Sequence, residues 1–344
     1  RASDWIMKAS TSIEADSRAA SKPASPQSVR AWLTRLGPFL GLLLVVAFFA
    51  LLTQSPAHYL SPNNLRIVLS QTVIVALGAI GATVVIISGG IDLSPGSVIA
   101  LTGVVAAVGI RAGWPPLAAV LVAVAVGGVV GLVNALAITR LQVVPFIATL
   151  GMLGIARGVA KWLASEQTVN VPTTWVNDLA ATFPHPSWIL VEPGVWLTLL
   201  LAILTAIVLR STVFGRRVFA LGSNEAAARA CGIPINRLKI WIYSLAGLFV
   251  GLAGVMQMSR LRQGDPTVAV GVELDIIAAT VIGGASLNGG QGTILGSMIG
   301  ALIMAFLRNG CQQMGWSNYV QEIIIGAIIV LAVAIDRWRY GKLQ

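Results

Sequence analysis

The chain has 344 residues, of which 56% are hydrophobic and only 10% are charged, and its formal net charge is +10. Water-soluble domains carry charge on roughly a quarter of their residues, so this composition excludes a soluble enzyme, a disordered chain and a small disulfide-bonded domain. A membrane-spanning helix needs about 20 apolar residues. The composition therefore predicts an all-α polytopic membrane protein.

The N-terminal segment differs in composition from the rest of the chain. Residues 1–35 are rich in Ser, Ala and charged side chains, and such segments bury too little apolar surface to fold on their own. We expect a disordered cytoplasmic tail over 1–35. A single transmembrane domain is expected over 36–337, followed by a short cytoplasmic C-terminus over 338–344.

Ten apolar stretches follow the tail, which predicts about ten transmembrane helices, several of them short. Polar connectors separate some of them, at about 164–193, 210–239 and 260–275. An arrangement of eight spans with two re-entrant segments fits the same pattern and stays open. The predicted spans are 36–57, 67–91, 93–110, 112–139, 141–156, 193–209, 240–259, two within 276–307, and 318–335.

The basic residues indicate the topology. With the tail inside and ten spans, 16 of the 23 Lys and Arg residues fall in the inner loops and termini. Cytoplasmic loops collect Lys and Arg, so both termini are expected in the cytoplasm. The same bias accounts for the net charge without a nucleic-acid partner.

Two glycine-rich segments, residues 88–96 and 283–292, interrupt otherwise apolar stretches. A shift of 194 positions aligns them and pairs Gly89 with Gly283 and Gly90 with Gly284. Such paired breaks point to the substrate path in transporters, but tight turns and close helix contacts give the same pattern. The candidate pathway or hinge residues are Gly89, Gly90, Asp92, Ser94, Gly283, Gly284, Asn288 and Gly290.

Asp92 has two possible roles. An ionisable residue beside an apolar stretch is a functional candidate. Its carboxylate can also accept hydrogen bonds from the amides of Leu93, Ser94 or Gly96 and so cap the helix that follows. We favour the capping role.

The connector at 210–239 predicts a short helix. Ser223 or Asn224 suits the N-cap, Glu225 suits the positive first turn, and the alanines that follow are strong helix formers. Gly232 fits the position just past the end, and Pro234 prevents continuation. A helix of about two turns is not stable alone in water, which argues for a partner surface.

At these residues the chain resembles a known family, the permease subunits of bacterial ATP-binding-cassette sugar importers of the ribose type. The resemblance rests on the motifs at 89–94, 224–233 and 283–292 and extends over about 36–337. It implies a multi-pass protein of the cytoplasmic membrane whose loop helix couples to a separate ATP-hydrolysing subunit. The coupling residues that it implies are Asn224, Glu225, Ala226, Ala227, Arg229 and Gly232.

The resemblance also implies partners: the subunit that binds ATP, an extracytoplasmic sugar-binding protein and a second copy of the permease. It implies alternating access as the mechanism and leaves the sugar unassigned. The chain contains no G-x-x-x-x-G-K-[ST] phosphate loop, so we expect no ATPase activity and no cofactor in this subunit. Cys231 and Cys311 lack the spacing of metal ligands, and no metal site is expected.

Two other functions are compatible with a polytopic chain. An ion-coupled secondary transporter needs carboxylates inside the membrane, and Asp92 and Glu322 are the fair candidates for such a site. A membrane-embedded enzyme needs a reactive cluster, and neither a G-x-S-x-G turn nor a paired His/Glu metal motif occurs in the sequence.

Overall fold

The structure, a computed structural model, describes residues 27–53, 55–182 and 191–340. The described residues fall into two units, one that ends at Gly37 and one that begins at Pro38. Residues 1–26 of the predicted tail and 341–344 of the predicted C-terminus lie outside the described residues. Residues 27–35, expected in the tail, are helical instead, in keeping with the helix-forming Gln, Arg, Ala and Leu of this stretch.

The described residues form thirteen α-helices, a two-stranded sheet and one turn of 3-10 helix, Trp175–Asp178. Six of the helices, α2 to α7, begin at a proline, the residue that is pre-organised for a first helical position. The helices are α1 Gln27–Leu52, α2 Pro56–Tyr59, α3 Pro62–Ile87, α4 Pro95–Arg111, α5 Pro116–Thr139, α6 Pro145–Leu163, α7 Pro193–Ser211, α8 Val213–Ser223, α9 Glu225–Ala230, α10 Ile235–Leu261, α11 Val272–Ile282, α12 Ile294–Gln313 and α13 Asn318–Tyr340. The strands are β1 Val169–Asn170 and β2 Gln263–Gly264, paired antiparallel.

The helix count agrees with the predicted all-α membrane fold. Six helices are long and apolar enough to cross a membrane: α3, α5, α6, α7, α10 and α12. Shorter apolar helical stretches occur at Leu36–Leu52, Pro95–Arg111 and Asn318–Leu331. With the 11-residue α11, the described residues hold ten apolar helical stretches, which is roughly consistent with the predicted count of about ten membrane helices.

Helix α3 lies at the centre, since 94% of its apolar window is buried, against 22% for α6. Helix α10 packs antiparallel to α5 with almost no side chain between them. A Cβ at Gly247 would overlap the Gly127 carbonyl, and one at Gly131 would overlap the Tyr243 carbonyl. Small residues of this kind let two membrane helices approach closely.

Helix α4 starts about halfway along α10 rather than at its end. Gly81 of α3 lies against Ala246 of α10, whereas a Cβ at Gly254 of α10 would lie against the Ile99 carbonyl of α4. The segment between α3 and α4, residues 88–94, therefore runs along α10 and passes Tyr243, whose hydroxyl lies against Gly90.

A second irregular segment, residues 262–271, lies between α10 and α11. After α10, β2 pairs with β1, and Gly264 of β2 lies against Val104 and Ala107 of α4. Turns over 266–271 then lead to α11. Helix α11 begins at Val272, and the Glu273 carboxylate in its first turn lies against Gly96 of α4. The first turns of α4 and α11 thus meet in the interior.

We predict that the α5–α10 contact is a stability determinant. Gly247→Ala places a methyl group on the Gly127 carbonyl, and overpacking of this kind costs about 1–3 kcal/mol. The midpoint of thermal unfolding in detergent, followed by tryptophan fluorescence, should fall by several degrees. Gly151→Ala on α6, where nothing lies within 4 Å, is the matched control and should leave the midpoint unchanged or higher. Equal midpoints for the two variants would contradict the packing.

Candidate functional site

Helix α9 forms where the sequence predicted a short loop helix. The Asn224 Oδ1 atom accepts a hydrogen bond from the Ala227 N–H at 2.9 Å and caps the N-terminus. At the other end Gly232 has a φ of +77°, and the Ile233 N–H donates to the Ala228 carbonyl at 3.1 Å. The predicted caps are confirmed.

Most of α9 faces away from the rest of the chain. Ala228 is buried, whereas the other five residues, Glu225, Ala226, Ala227, Arg229 and Ala230, are exposed. A helix of six residues is too short to hold its shape by backbone hydrogen bonds alone. Its exposed face is therefore available to a partner.

A forked ion pair holds α9 onto α10. The Glu225 carboxylate accepts from Arg229 at 3.1 Å within α9 and from Lys239 of α10 at 2.8 Å. The hydrogen bond from Lys239 lowers the pKa of Glu225 below its ordinary value. Since an unperturbed glutamate titrates near pH ~4.3, the fork is intact at neutral pH and is lost only as pH falls through that lowered pKa.

The sequence interpretation missed α8, Val213–Ser223, which comes just before α9. The Thr212 hydroxyl caps it by accepting from the Gly215 N–H at 3.3 Å. Val218 and Leu221 are buried in the core. Their i, i+3 spacing was the available signal, but the arginines of this stretch suggested a solvated loop.

The two glycine breaks have the same backbone geometry, at a different register from the predicted one. Gly89 and Gly284 are the left-handed residues, with φ of +82° and +93°. The N–H of Gly89 donates to Ile86 and that of Gly284 donates to Val281, each to the carbonyl three residues back. The breaks thus correspond at a shift of 195, from 284 less 89. The predicted shift of 194, which paired Gly89 with Gly283, is wrong because Gly283 has φ −65° and ends the helix.

Both breaks meet the end of α8 in a contact made of backbone. We call it the glycine junction: Ile87, Gly89, Gly222, Gly289 and Gly290. The Gly290 N–H donates to the Ile87 carbonyl at 2.8 Å. A Cβ at Gly222 would overlap that same carbonyl, and a Cβ at Gly289 would lie 2.7 Å from the Gly222 carbonyl and 3.0 Å from the Gly89 Cα.

The junction contains Gly222, which sequence reasoning did not select. Gly222 lies two residues before the N-cap of α9, so its position was visible in the sequence, but its neighbours at 87 and 290 were not. The structure brings Gly89 and Gly290 of the candidate set together here. Gly283 lies instead against the backbone of Gly296.

Two further members of the candidate set, Gly284 and Asn288, are exposed at the surface of the second break. The Asn288 N–H donates to the Ser286 hydroxyl at 3.3 Å. Asn288 directly precedes Gly289 of the glycine junction, whereas Gly284 lies outside the junction. Their assignment to a hinge remains a prediction.

Asp92 makes a local contact with the Ser94 amide, one of those predicted, but it does not cap α4, whose N-cap Ser94 has no side-chain cap bond. The Asp92 Oδ1 atom accepts from the Ser94 N–H at 2.8 Å and from the Ser94 hydroxyl at 2.6 Å. The Asn134 amide of α5 donates to the Ser94 hydroxyl at 3.2 Å, and the Thr149 hydroxyl of α6 donates to the Ile91 carbonyl at 3.4 Å. The extended part of the first break is thus fixed to both α5 and α6.

Two arginines bind the segment between α10 and α11 and the first turn of α11. Arg157 of α6 donates to the carbonyls of Pro266 and Val268 at 2.9 and 2.6 Å. Arg308 of α12 pairs with buried Asp275 of α11 at 2.6 Å. Arg157 thus holds the irregular segment before α11, and Arg308 joins α12 to the first turn of α11.

The chain is similar to known proteins over most of its length. The model of a family described as branched-chain amino acid transport system / permease component matches residues 64–333. The ribose import permease protein RbsC of Escherichia coli strain K12 is 42% identical over 309 residues, which are 89% of this chain and 95% of that protein. No solved structure matches the chain.

Two further relatives extend the comparison. The ribose import permease protein RbsC of Bacillus subtilis strain 168 is 40% identical over 307 residues, covering 89% of this chain and 93% of that protein. The L-arabinose ABC transporter permease protein AraH of Azospirillum brasilense is 34% identical over 303 residues, 88% of each chain. The chain therefore belongs to this family of transport permeases and is a multi-pass membrane protein.

We predict that Gly222→Ala opens the glycine junction, because the methyl group overlaps the Ile87 carbonyl that accepts from Gly290. Hydrogen exchange of the Gly290 amide, followed by mass spectrometry, should become at least tenfold faster. Gly154→Ala on α6, with open space around it, should leave that exchange rate unchanged. Full protection of the Gly290 amide in the Gly222 variant would show that the contact does not depend on glycine.

Proposed function

We propose that this chain is the membrane-spanning permease subunit of an ATP-binding-cassette importer that moves a monosaccharide across the cytoplasmic membrane. The observation that carries the proposal is similarity over 88–89% of the chain to permeases named for the import of ribose and L-arabinose. The family description names branched-chain amino acids, but relatives at 34–42% identity are named for sugars, which favours a sugar.

Energy enters from a second polypeptide in this proposal. The sequence has no phosphate loop of the G-x-x-x-x-G-K-[ST] kind, so the permease acts without enzymatic activity or a cofactor of its own. ATP binds to the separate ATP-hydrolysing subunit. Helix α9 supports this assignment, because its exposed face and its ion pair with Lys239 make a small, oriented docking element.

The glycine junction transmits the movement of α9. Helix α9 follows directly on α8, whose last residues contact both breaks through backbone atoms. A displacement of α8 therefore displaces the end of α3 and the second break together. The first break leads from Gly89 to the start of α4, and Gly90, Asp92 and Ser94 take part as hinge or pathway residues.

The second break gives the same movement to α11 and α12. Gly283 and Gly284 end α11, and Gly290 is bonded to the end of α3. Alternating access then consists of rocking the helices that begin in the interior, α4 and α11, against the closely packed α5–α10 pair. Asn288, at the exposed tip of the break, is assigned to the same hinge.

The assembly follows from the same proposal. Both termini lie in the cytoplasm, as 16 of the 23 basic residues favour. A second copy of the permease completes the pathway, and an extracytoplasmic sugar-binding protein delivers the substrate. An ion-coupled carrier is not favoured, since Asp92 is engaged by Ser94 and Glu322 is exposed.

Substitution of Gly232 tests the coupling role of α9. Gly232→Val strains a residue with φ +77° that ends α9, so the permease should fold and bind sugar-loaded partner, yet lose at least tenfold in sugar uptake per ATP hydrolysed in proteoliposomes. The control is Gly113→Val, at φ +84° between α4 and α5 and equally free of neighbours, which should transport normally. Unchanged uptake per ATP in the Gly232 variant would remove α9 from the mechanism.

The two cysteines provide an independent test of docking. Cys231, next to α9, is exposed, whereas Cys311 of α12 is buried. Addition of the ATP-hydrolysing subunit to the permease in nanodiscs should slow maleimide labelling of Cys231 at least fivefold. Labelling of Cys311 in the unfolded protein gives the reference for complete reaction. Labelling of Cys231 at the same rate with and without the subunit would place the docking surface elsewhere.

A further inference from the structure

A cleft of about 280 Å³ opens beside α9. One wall is the end of α5 with the loop into α6, residues 138–145, and the other wall consists of Glu225, Arg229, Asn236 and Lys239. We call this space the loop cleft. Its volume lies near the lower limit of ligand pockets, about 300 Å³, and is enough for a large side chain.

The two walls differ in chemistry. One wall combines the apolar residues Ile138, Val143, Val144 and Pro145 with the polar Thr139 and Gln142, and Val144 is 59% exposed. The facing wall carries the Glu225 fork. Because charged groups are costly in hydrocarbon, a cleft that these charges line lies in the aqueous phase, and lipid does not cover Val144. Exposed apolar surface in such a place is typical of a protein contact.

The loop keeps a defined shape of its own. Gln142 adopts a left-handed φ of +54°, and the Val143 N–H donates back to the Ala137 carbonyl of α5 at 3.2 Å. Leu141, beside them, is 74% exposed. The apolar wall is thus pre-formed and is continuous with the exposed face of α9.

The charges around the loop cleft indicate what kind of partner surface is complementary to it. Both Glu225 oxygens are engaged by Arg229 and Lys239, so this carboxylate does not repel a second one. Arg140, next to Thr139 of the cleft in the chain, is exposed, and the Arg229 side chain is 64% exposed. A complementary surface therefore presents an apolar side chain with carboxylates beside it.

We propose that the loop at 140–145 is a second docking element for the ATP-hydrolysing subunit, and that the loop cleft receives an apolar side chain of that subunit flanked by acidic residues. This inference rests on the proposed function and adds a contact outside the coupling helix. In this proposal the subunit contacts the end of α5 and the start of α6 as well as α9. The α5–α10 pair and α9 are then held by the same partner.

Val144→Asp tests the apolar wall. Val144 is the N-cap of α6, and aspartate is among the best N-cap residues, so the substitution leaves the helix start intact while it puts a carboxylate in the cleft. Pro115→Asp is the matched control, because Pro115 is the N-cap of α5 at the opposite end of that helix. The dissociation constant of the ATP-hydrolysing subunit from permease in nanodiscs should rise at least tenfold for V144D and stay within twofold for P115D.

Three outcomes are distinguishable. Equal affinity for the wild type and V144D, or equal losses in V144D and P115D, overturns the loop cleft as a docking site while the proposed function stands. Failure of the wild-type permease to bind the subunit overturns the proposed function itself and this inference with it. If V144D does not fold, Gln142→Cys in a Cys231→Ser chain decides, because Cys231 is exposed beside α9 and would itself react. A short thiol–amine crosslinker must join the cysteine at 142 to the subunit, and absence of that crosslink overturns the proposal.

Discussion

The contact on which the rest of the structure depends is between main chains. The Ile87 carbonyl at the end of α3 accepts from Gly290 and lies directly against Gly222. No side chain separates the three segments, so they cannot slide past one another as two packed leucines can. A buried backbone hydrogen bond is also costly to break. The ends of α3, α8 and the second break therefore move together or not at all, and in the proposed mechanism that property makes α9 an effective point of input.

A second constraint operates in the interior, where α4 and α11 begin beside each other. The first turn of a helix leaves N–H groups without helical partners, and irregular backbone at membrane depth is tolerated only where protein or a cavity satisfies it. Here the chain supplies the partners itself. Asp92 accepts from Ser94 before α4, Glu273 accepts from the Gly271 N–H at 3.3 Å before α11, and Arg157 donates to the carbonyls at 266 and 268. These bonds fix the irregular segments that lead into α4 and α11, whose N-caps Ser94 and Gly271 carry no side-chain cap bond.

Local patterns predicted the local structure well. The membrane helices follow from apolar length, and the caps of α9 follow from Asn224 and Gly232, because each depends on neighbours in the chain. What escaped prediction depends on distant residues. The role of Gly222 depends on its contacts with positions 87 and 290, which are distant in the sequence. The start of α4 in the interior depends on its packing against α10. The shift of 195 between the two breaks is set by φ angles, which the spacing of glycines in the sequence does not reveal. Helix α8 was missed for a different reason, since its arginines outweighed the Val218 and Leu221 spacing.

The all-backbone character of the glycine junction has a consequence for how such a permease diversifies. Contacts between side chains tie two positions to each other, so that a change at one demands a change at the other. At the junction the interacting atoms are carbonyls, amides and Cα atoms, which every substitution elsewhere leaves as they are. In the proposed mechanism, residues that face the solute are then free to vary without changing the contacts that transmit the movement. The same glycine junction can then serve permeases for different solutes, provided that its glycines are kept.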